Sequence, residues 1–345
     1  MRRVPRGVAC LAAVSALLSA CTGSEDTATR PPTSVGPGNT CAVSARLVPH
    51  CGVLWGVATV PQTVPALADV EASVGRRFDL VYNYHDVEDV IPTPTEEQEL
   101  KDGRILHLAI AARLYGDPQT MVTYADIAQG RYDAGLMKQA ESVAALHTPV
   151  FITFEQEANQ HDKVGVRGSA ADFIAAWRHL HALYQAAGAK NAVWVWVMTG
   201  AAANLETAGE LWPGNDVVDW ISWNVYNQSG CGGGQIRPEL ETSFQDALEP
   251  FYTWLHSTGP QLGIDPDKPV MISETGSVLY ADDAERTAAW YAAIPATLAR
   301  FPQVKAVGLW DSKTSDLCDY RFQRSSSVLG SVIDAGKSPT VIGRP

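Results

Sequence analysis

From Cys51 onward, short apolar runs alternate with longer stretches whose apolar residues recur at helical spacing. The short runs are Val53–Val57, Asp79–Tyr84, Ile105–Ala109, Val150–Phe154, Ala192–Val197, Trp220–Asn224, Val270–Ser273 and Ala306–Leu309. Runs that are apolar with little alternation suit strands covered on both faces. The helical stretches include Leu136–Leu146, Ala171–Ala187, Phe244–Leu255 and Asp283–Leu298. Strands alternating with helices predict a parallel sheet with crossover connections. Eight such units predict an α/β fold, a single closed (β/α)8 TIM barrel. An open doubly wound sheet is the alternative, but no Gly-rich phosphate loop follows the first run, which disfavours its dinucleotide-binding form.

The first 40 residues break this pattern. Arg2, Arg3 and Arg6 precede an apolar stretch, Val8–Leu18, that is shorter than the roughly 20 residues a membrane span needs. It ends Leu18-Ser-Ala-Cys21, which resembles a bacterial lipobox and implies cleavage before Cys21 and lipidation of its sulfur. Residues 22–40 are rich in Pro, Gly, Ser and Thr and read as a tether. The expected organisation is therefore a signal peptide (1–20), a tether from lipidated Cys21 (21–40) and the barrel (41–345). The protein is expected to be exported and anchored at the bacterial cell surface, as a monomer.

Composition narrows the chemistry. A net charge of −12 over 345 residues excludes a nucleic-acid partner on electrostatic grounds. In an oxidising compartment Cys41, Cys51, Cys231 and Cys318 remain, which allow three pairings. Cys41–Cys51, a short local loop, and Cys231–Cys318, joining two loops at one barrel end, are the favoured ones. No CxxC or HxxxH spacing occurs, so no metal is expected.

Barrel enzymes carry their active sites at the C-terminal ends of the strands. The polar residues there are Asn83, Tyr84, His85 and Asp86 on the second strand, and Glu155 and Glu157 on the fourth. Trp223, Asn224 and Tyr226 follow on the sixth, Glu274 on the seventh, and Trp310 and Asp311 on the eighth. The fourth and seventh strands lie across the mouth from each other. A carboxyl group on each is what retaining glycoside hydrolysis needs, one attacking and one protonating. The residues alone do not choose between Glu155 and Glu157. No cofactor is needed, and a polysaccharide or oligosaccharide is the expected ligand. Aromatic and polar side chains near the mouth are candidate sugar contacts, among them Trp223, Trp196 and His107. His107 reads equally well as core, and one of Trp194 and Trp196 is expected to pack while the other walls a subsite.

Several segments carry a resemblance to family 26 of the glycoside hydrolases, which contains β-mannanases and some xylanases and mixed-linkage glucanases. They are Tyr124–Asp133, Ala176–His181, Asn191–Trp196, Trp212–Ile221, Lys268–Gly276 and Trp310, in an order that spans about residues 52–335. The resemblance implies Glu274 as nucleophile, Glu157 as acid/base, Tyr226 as hydrogen-bond donor to the nucleophile, and Trp310 as the aromatic under the sugar. It extends sugar contact to Gln156 and Asn159 beside Glu157. β-Mannan is the default substrate, with xylan, mixed-linkage glucan or a non-catalytic glycan-binding barrel as alternatives. The fourth strand departs from the family pattern: Thr153 stands where arginine is common, Gln156 where histidine is usual, and Glu155 where a small residue is common. Glu155 is expected to raise the pKa of Glu157 by like-charge repulsion.

Overall fold

The computed structural model describes residues 41–116 and 120–341, so the expected signal, Cys21 and tether lie outside the described residues. Eight parallel strands form a closed barrel: β1 (Leu54–Thr59), β2 (Leu80–Asp86), β3 (Ile105–Ala111), β4 (Val150–Phe154), β5 (Ala192–Thr199), β6 (Trp220–Asn227), β7 (Val270–Ser277) and β8 (Val304–Asp311). Each pairs with its sequence neighbours, and β8 closes on β1 from Leu54↔Ala306 to Thr59↔Asp311. This is the (β/α)8 barrel that the apolar pattern predicts. A two-residue antiparallel ladder, Arg113–Leu114 with Thr120–Met121, lies after β3.

The crossovers are helical. They are α1 (Val64–Val74), α2 (Pro94–Lys101), α3 (Tyr124–Ala128), α4 (Asp133–Ala145), α5 (Ala170–Ala186), α6 (Leu205–Glu210) and α7 (Phe244–Ser257). Two helices, α8 (Ala284–Ala292) and α9 (Ile294–Leu298), follow β7, and α10 (Ser326–Gly336) follows β8. The expected helix over Asp283–Leu298 is thus two helices, broken where Pro295 cannot donate to the helical ladder. Local chemistry sets the starts. Ser169 and Asp172 form a reciprocal capping box on α5, as Thr93 and Glu96 do on α2.

Two apolar layers result. Inside the barrel, Leu54, Leu80, Phe151, Val193, Val195, Trp220 and Met271 fill the half near the strand starts. The segment 41–51 closes that end. Its Cys41 is disulfide-bonded to Cys51, and the Arg46 carbonyl accepts from Trp220 Nε1 at 2.8 Å. Outside the barrel, alternate strand residues such as Val57, Ile152, Trp194, Trp196 and Trp223 pack under the helices. Toward the strand ends the interior turns polar, through Tyr82, His107, Thr153, Ser222 and Ser273, all buried. No helix among the described residues is long and apolar enough to cross a membrane.

Candidate active site

Glu274 is aimed into the mouth by an irregularity in β7. Between Met271 and Thr275 that strand carries one residue more than β8 on one side and β6 on the other, the signature of a β-bulge. The bulge breaks the in-out alternation. Ser273 points inward to bond Ser222, and Glu274 beside it accepts from Tyr226 Oη at 2.7 Å and Tyr84 Oη at 2.9 Å. Gly308 on β8 lets the bulge fit. A Cβ there would stand 2.3 Å from the Ser273 carbonyl oxygen.

Across the mouth, β4 ends in an unusual turn. Glu155 and Glu157 both have left-handed backbone conformations, with φ of 47° and 55°, which non-glycine residues adopt only when their surroundings hold them there. Those holds are visible: Glu155 N donates to Ile110 O of β3 at 2.9 Å, and Glu157 N to Val197 O of β5 at 2.8 Å. The two side chains then part company. Glu155 turns into the protein, 1% exposed, where it meets Arg167 at 2.6 Å, Lys163 at 3.4 Å and the Ala112 amide at 2.7 Å. Glu157 stays at the cleft, half-buried, and accepts from Gln160 Nε2 at 2.5 Å.

Burial is the main force on both facing carboxyls, and it pushes both above the ordinary carboxylate range. The charge of Glu157 raises Glu274 further, while Tyr226, Tyr84 and the Lys163 ammonium pull Glu274 back down. Glu157 is lowered by Lys163, Asn224 and Gln160 and raised by Asp162. Glu155 is therefore not the source of the raised Glu157 pKa that the sequence suggests, because Arg167 and Lys163 neutralise it. Two carboxyls that feel each other titrate as a pair, so the ionisation of one opposes that of the other. Two phenols donating to Glu274 favour its ionised form. Burial and the nearby carboxylates push the hydroxyls of Tyr84 and Tyr226 far up, so they remain neutral donors.

One wall beside Glu274 is aromatic. Trp310 is partly exposed and meets the Tyr226 ring edge-on at 6.2 Å and 88°. Tyr320 packs on both, beside the Cys231–Cys318 disulfide that ties the loops after β6 and β8. Both favoured cysteine pairings are thus present. A neighbouring cleft of about 380 Å³ shares Tyr226 and Asn224 with the site and runs on past Thr199, Gln228 and Thr242, but neither carboxylate lines it.

Other expected sugar contacts fall elsewhere. His107 is fully buried on the inner face of β3, stacked on Tyr82 at 4.0 Å and bonded to Thr153 at 2.7 Å. Burial lowers its pKa to about 3, so it is a neutral core residue. Trp196 and Trp223 face outward. The first donates to Leu211 O and packs on Trp212, and the second stacks on Phe251 at 4.5 Å. Trp194 is also outside, against Trp177 and Tyr184, so neither member of the Trp194/Trp196 pair walls a subsite. Asn159 is spent on structure: its amide bonds Thr199 N, Thr199 O and Asn204 O, fastening the β4 loop to β5. Gln156 is half-buried next to Glu157, its carbonyl held by Lys163 and its side-chain oxygen without a partner. Tyr84 is a strand-end residue to which the sequence assigned no role, yet it bonds Glu274. His85 is committed to Glu96 at 2.6 Å and Asp89 at 3.5 Å.

No family model matches the sequence. Among characterised proteins it is similar to the beta-1,3-xylanase TXYA of a Vibrio species, 24% identical over 216 residues, which are 57% of this chain and 43% of that protein. The chain thus spans less than half the length of that relative. Solved structures are more informative. A family 26 β-mannanase from Bacteroides ovatus superposes with a TM-score of 0.60 over 85% of this chain and 90% of its own, at 15% identity. The fold is that of the family 26 β-mannanases. Another, from a symbiotic protist of the termite Reticulitermes speratus and complexed with gluco-manno-oligosaccharide, gives 0.54 over 84% of this chain and 88% of its own, at 17% identity. The barrel fold shared with these structures therefore extends over most of the chain, at identities too low to carry residue roles.

Proposed function

We propose that the chain is a divergent family 26 glycoside hydrolase that cleaves a β-linked polysaccharide with retention of configuration. The observation that carries this is the pair itself: Glu274, held by two tyrosine hydroxyls, in the field of a half-buried Glu157 at a barrel mouth. In the proposed mechanism Glu274 attacks the anomeric carbon, and Glu157 gives its proton to the departing glycosidic oxygen. Glu157 then takes a proton from the water that releases the glycosyl-enzyme. Tyr84 and Tyr226 hold the attacking carboxylate in place, and Trp310 offers a ring to an apolar sugar face. β-1,4-Mannan is the first substrate to test, in keeping with the fold. β-Xylan is the second, in keeping with the xylanase likeness. Two disulfides support export, and Cys21 is the proposed lipid attachment point.

The test is hydrolysis of a panel of β-mannans, xylans and mixed-linkage glucans, with Glu274→Ala as control. The anomer first released is read by proton NMR. Cleavage with a β-anomeric product, lost in the control, is expected. An α-anomeric first product rules out retention, and glycan binding without cleavage favours a non-catalytic barrel.

A further inference from the structure

Behind the carboxylate pair lies a charge cluster that an acid/base mechanism does not require. Lys163 and Arg167 come from the loop after β4, and their side chains are 9% and 7% exposed. Both reach the same oxygen of Glu155, Arg167 at 2.6 Å and Lys163 at 3.4 Å. Two cations thus share one anion, and the cluster carries an excess of one positive charge. Arg167 has the closer contact with Glu155. The Lys163 ammonium is also bonded to the Gln156 carbonyl, so it sits against the peptide that leads into Glu157. Its loop is pinned at both ends, since Lys163 N donates to Gln160 O at 3.0 Å and Arg167 N to Lys163 O at 2.8 Å. Gln160 in turn donates to Glu157.

A buried excess charge is expensive unless an opposite one stands near it. With one of its two carboxyls ionised, the Glu157–Glu274 pair supplies one net negative charge. We propose that Lys163 is the counter-ion of that pair, a positioning residue that keeps one carboxylate ionised in a buried site and fixes the Gln156–Glu157 peptide. The proposal rests on the reading of Glu157 and Glu274 as the reacting pair. The other groups facing them do not supply the charge. Tyr82 and Tyr84 from β2, Tyr226 from β6 and Tyr320 after β8 are neutral phenols. Asn224 and Gln160 are amides, and Asp162 is an anion. Among the described residues, the Lys163 cation is felt strongly by both carboxyls.

The test follows the δ-carboxyl carbons of ¹³C-labelled glutamate by NMR through a pH titration, which needs no substrate. In Lys163→Met the two transitions of the pair rise by about one pH unit, because a nearby cation favours the ionised carboxylate. Lys163→Gln keeps a donor for the Gln156 carbonyl but no charge, and behaves like Lys163→Met. Lys163→Arg restores the wild-type titration. On any glycan the enzyme cleaves, both limbs of the kcat/KM profile of the neutral variants move alkaline. In the wild-type protein, the Lys163 Nζ resonance shifts as the pair titrates. A folded neutral variant whose pair titrates within about 0.3 unit of wild type overturns the proposal. A Lys163 resonance that ignores the titration of the pair does the same. Wild-type protein that cleaves no glycan counts against the hydrolase reading alone.

Discussion

Glu155 and Glu157 stand two residues apart, and replacing each by glutamine separates a structural carboxylate from a reacting one. Glu155→Gln leaves Arg167 buried without its counter-charge, and keeps only one good acceptor for the three donors Arg167, Lys163 and the Ala112 amide. Breaking a buried ion pair from one side costs about 3–5 kcal/mol. At roughly 2–4 °C per kcal/mol for a domain somewhat smaller than this one, Tm falls on the order of 10 °C. Glu157→Gln removes a carboxyl that burial already pushes toward its neutral form, so an isosteric amide leaves Tm unchanged or raises it. Its loss is catalytic, about 10²–10⁴-fold in kcat/KM on a polysaccharide. An aryl glycoside with a strongly acidic leaving group needs little protonation and loses less. Calorimetry and initial rates on both variants make the comparison. A Glu155→Gln protein with wild-type Tm and an abolished rate, beside a Glu157→Gln protein that unfolds early, refutes the assignment.

Four more outcomes are expected. Tyr226→Phe and Tyr84→Phe each remove a donor from ionised Glu274 worth about 1.5–3 kcal/mol, which raises its pKa and moves the acidic limb of kcat/KM upward by about one unit or more. His85, which burial pulls down but Asp89 and Glu96 together push up to about 9, gives stability that is complete below its unfolded pKa of about 6.5 and lost as pH rises through 9. Denaturation of wild type and His85→Gln should therefore differ by on the order of 2–3 kcal/mol more at pH 6 than at pH 10. Cys231→Ser/Cys318→Ser opens a loop of sequence separation 87, which chain entropy values at about 4 kcal/mol, and it frees Tyr320 beside Tyr226. Gly308→Ala forces the Ser273 carbonyl away, and kcat should drop at least tenfold while the far-ultraviolet spectrum stays native.

The barrel was legible because every strand is an apolar run of the right length, and burial on both faces leaves little else such a run can be. The observed strands extend the expected ones mainly at their C-terminal ends, by the polar residues that ladder hydrogen bonds carry into the mouth. The misplaced contacts have one cause. His107, Trp196 and Trp223 were chosen by residue type, but a one-residue difference in strand phase decides whether a side chain enters the mouth, the core or the helix layer. Asn159 shows the complementary limit. A polar residue beside an acid looks like a sugar contact until the backbone groups it satisfies are in view.

The two halves of the candidate site are built by different means. Glu274 is set by strand geometry: a bulge in β7, a glycine opposite it on β8, and phenols on β2 and β6. Such parts leave a readable trace, because the apolar run Val270–Ile272 ends in Ser-Glu and the tyrosines sit at strand ends. Glu157 is set by a loop whose shape depends on two left-handed glutamates and a buried cluster of one acid and two bases. That cluster is assembled from residues up to 12 positions apart, so no local pattern announces it. Gln156, in the turn after β4, and Lys163 and Arg167 beyond it belong to one arrangement. The charge that the resemblance expects on the strand is carried here by the loop. A loop can be re-cut without disturbing the barrel. Differences in the glycan accepted should therefore track residues 155–168 far more closely than the β7 strand.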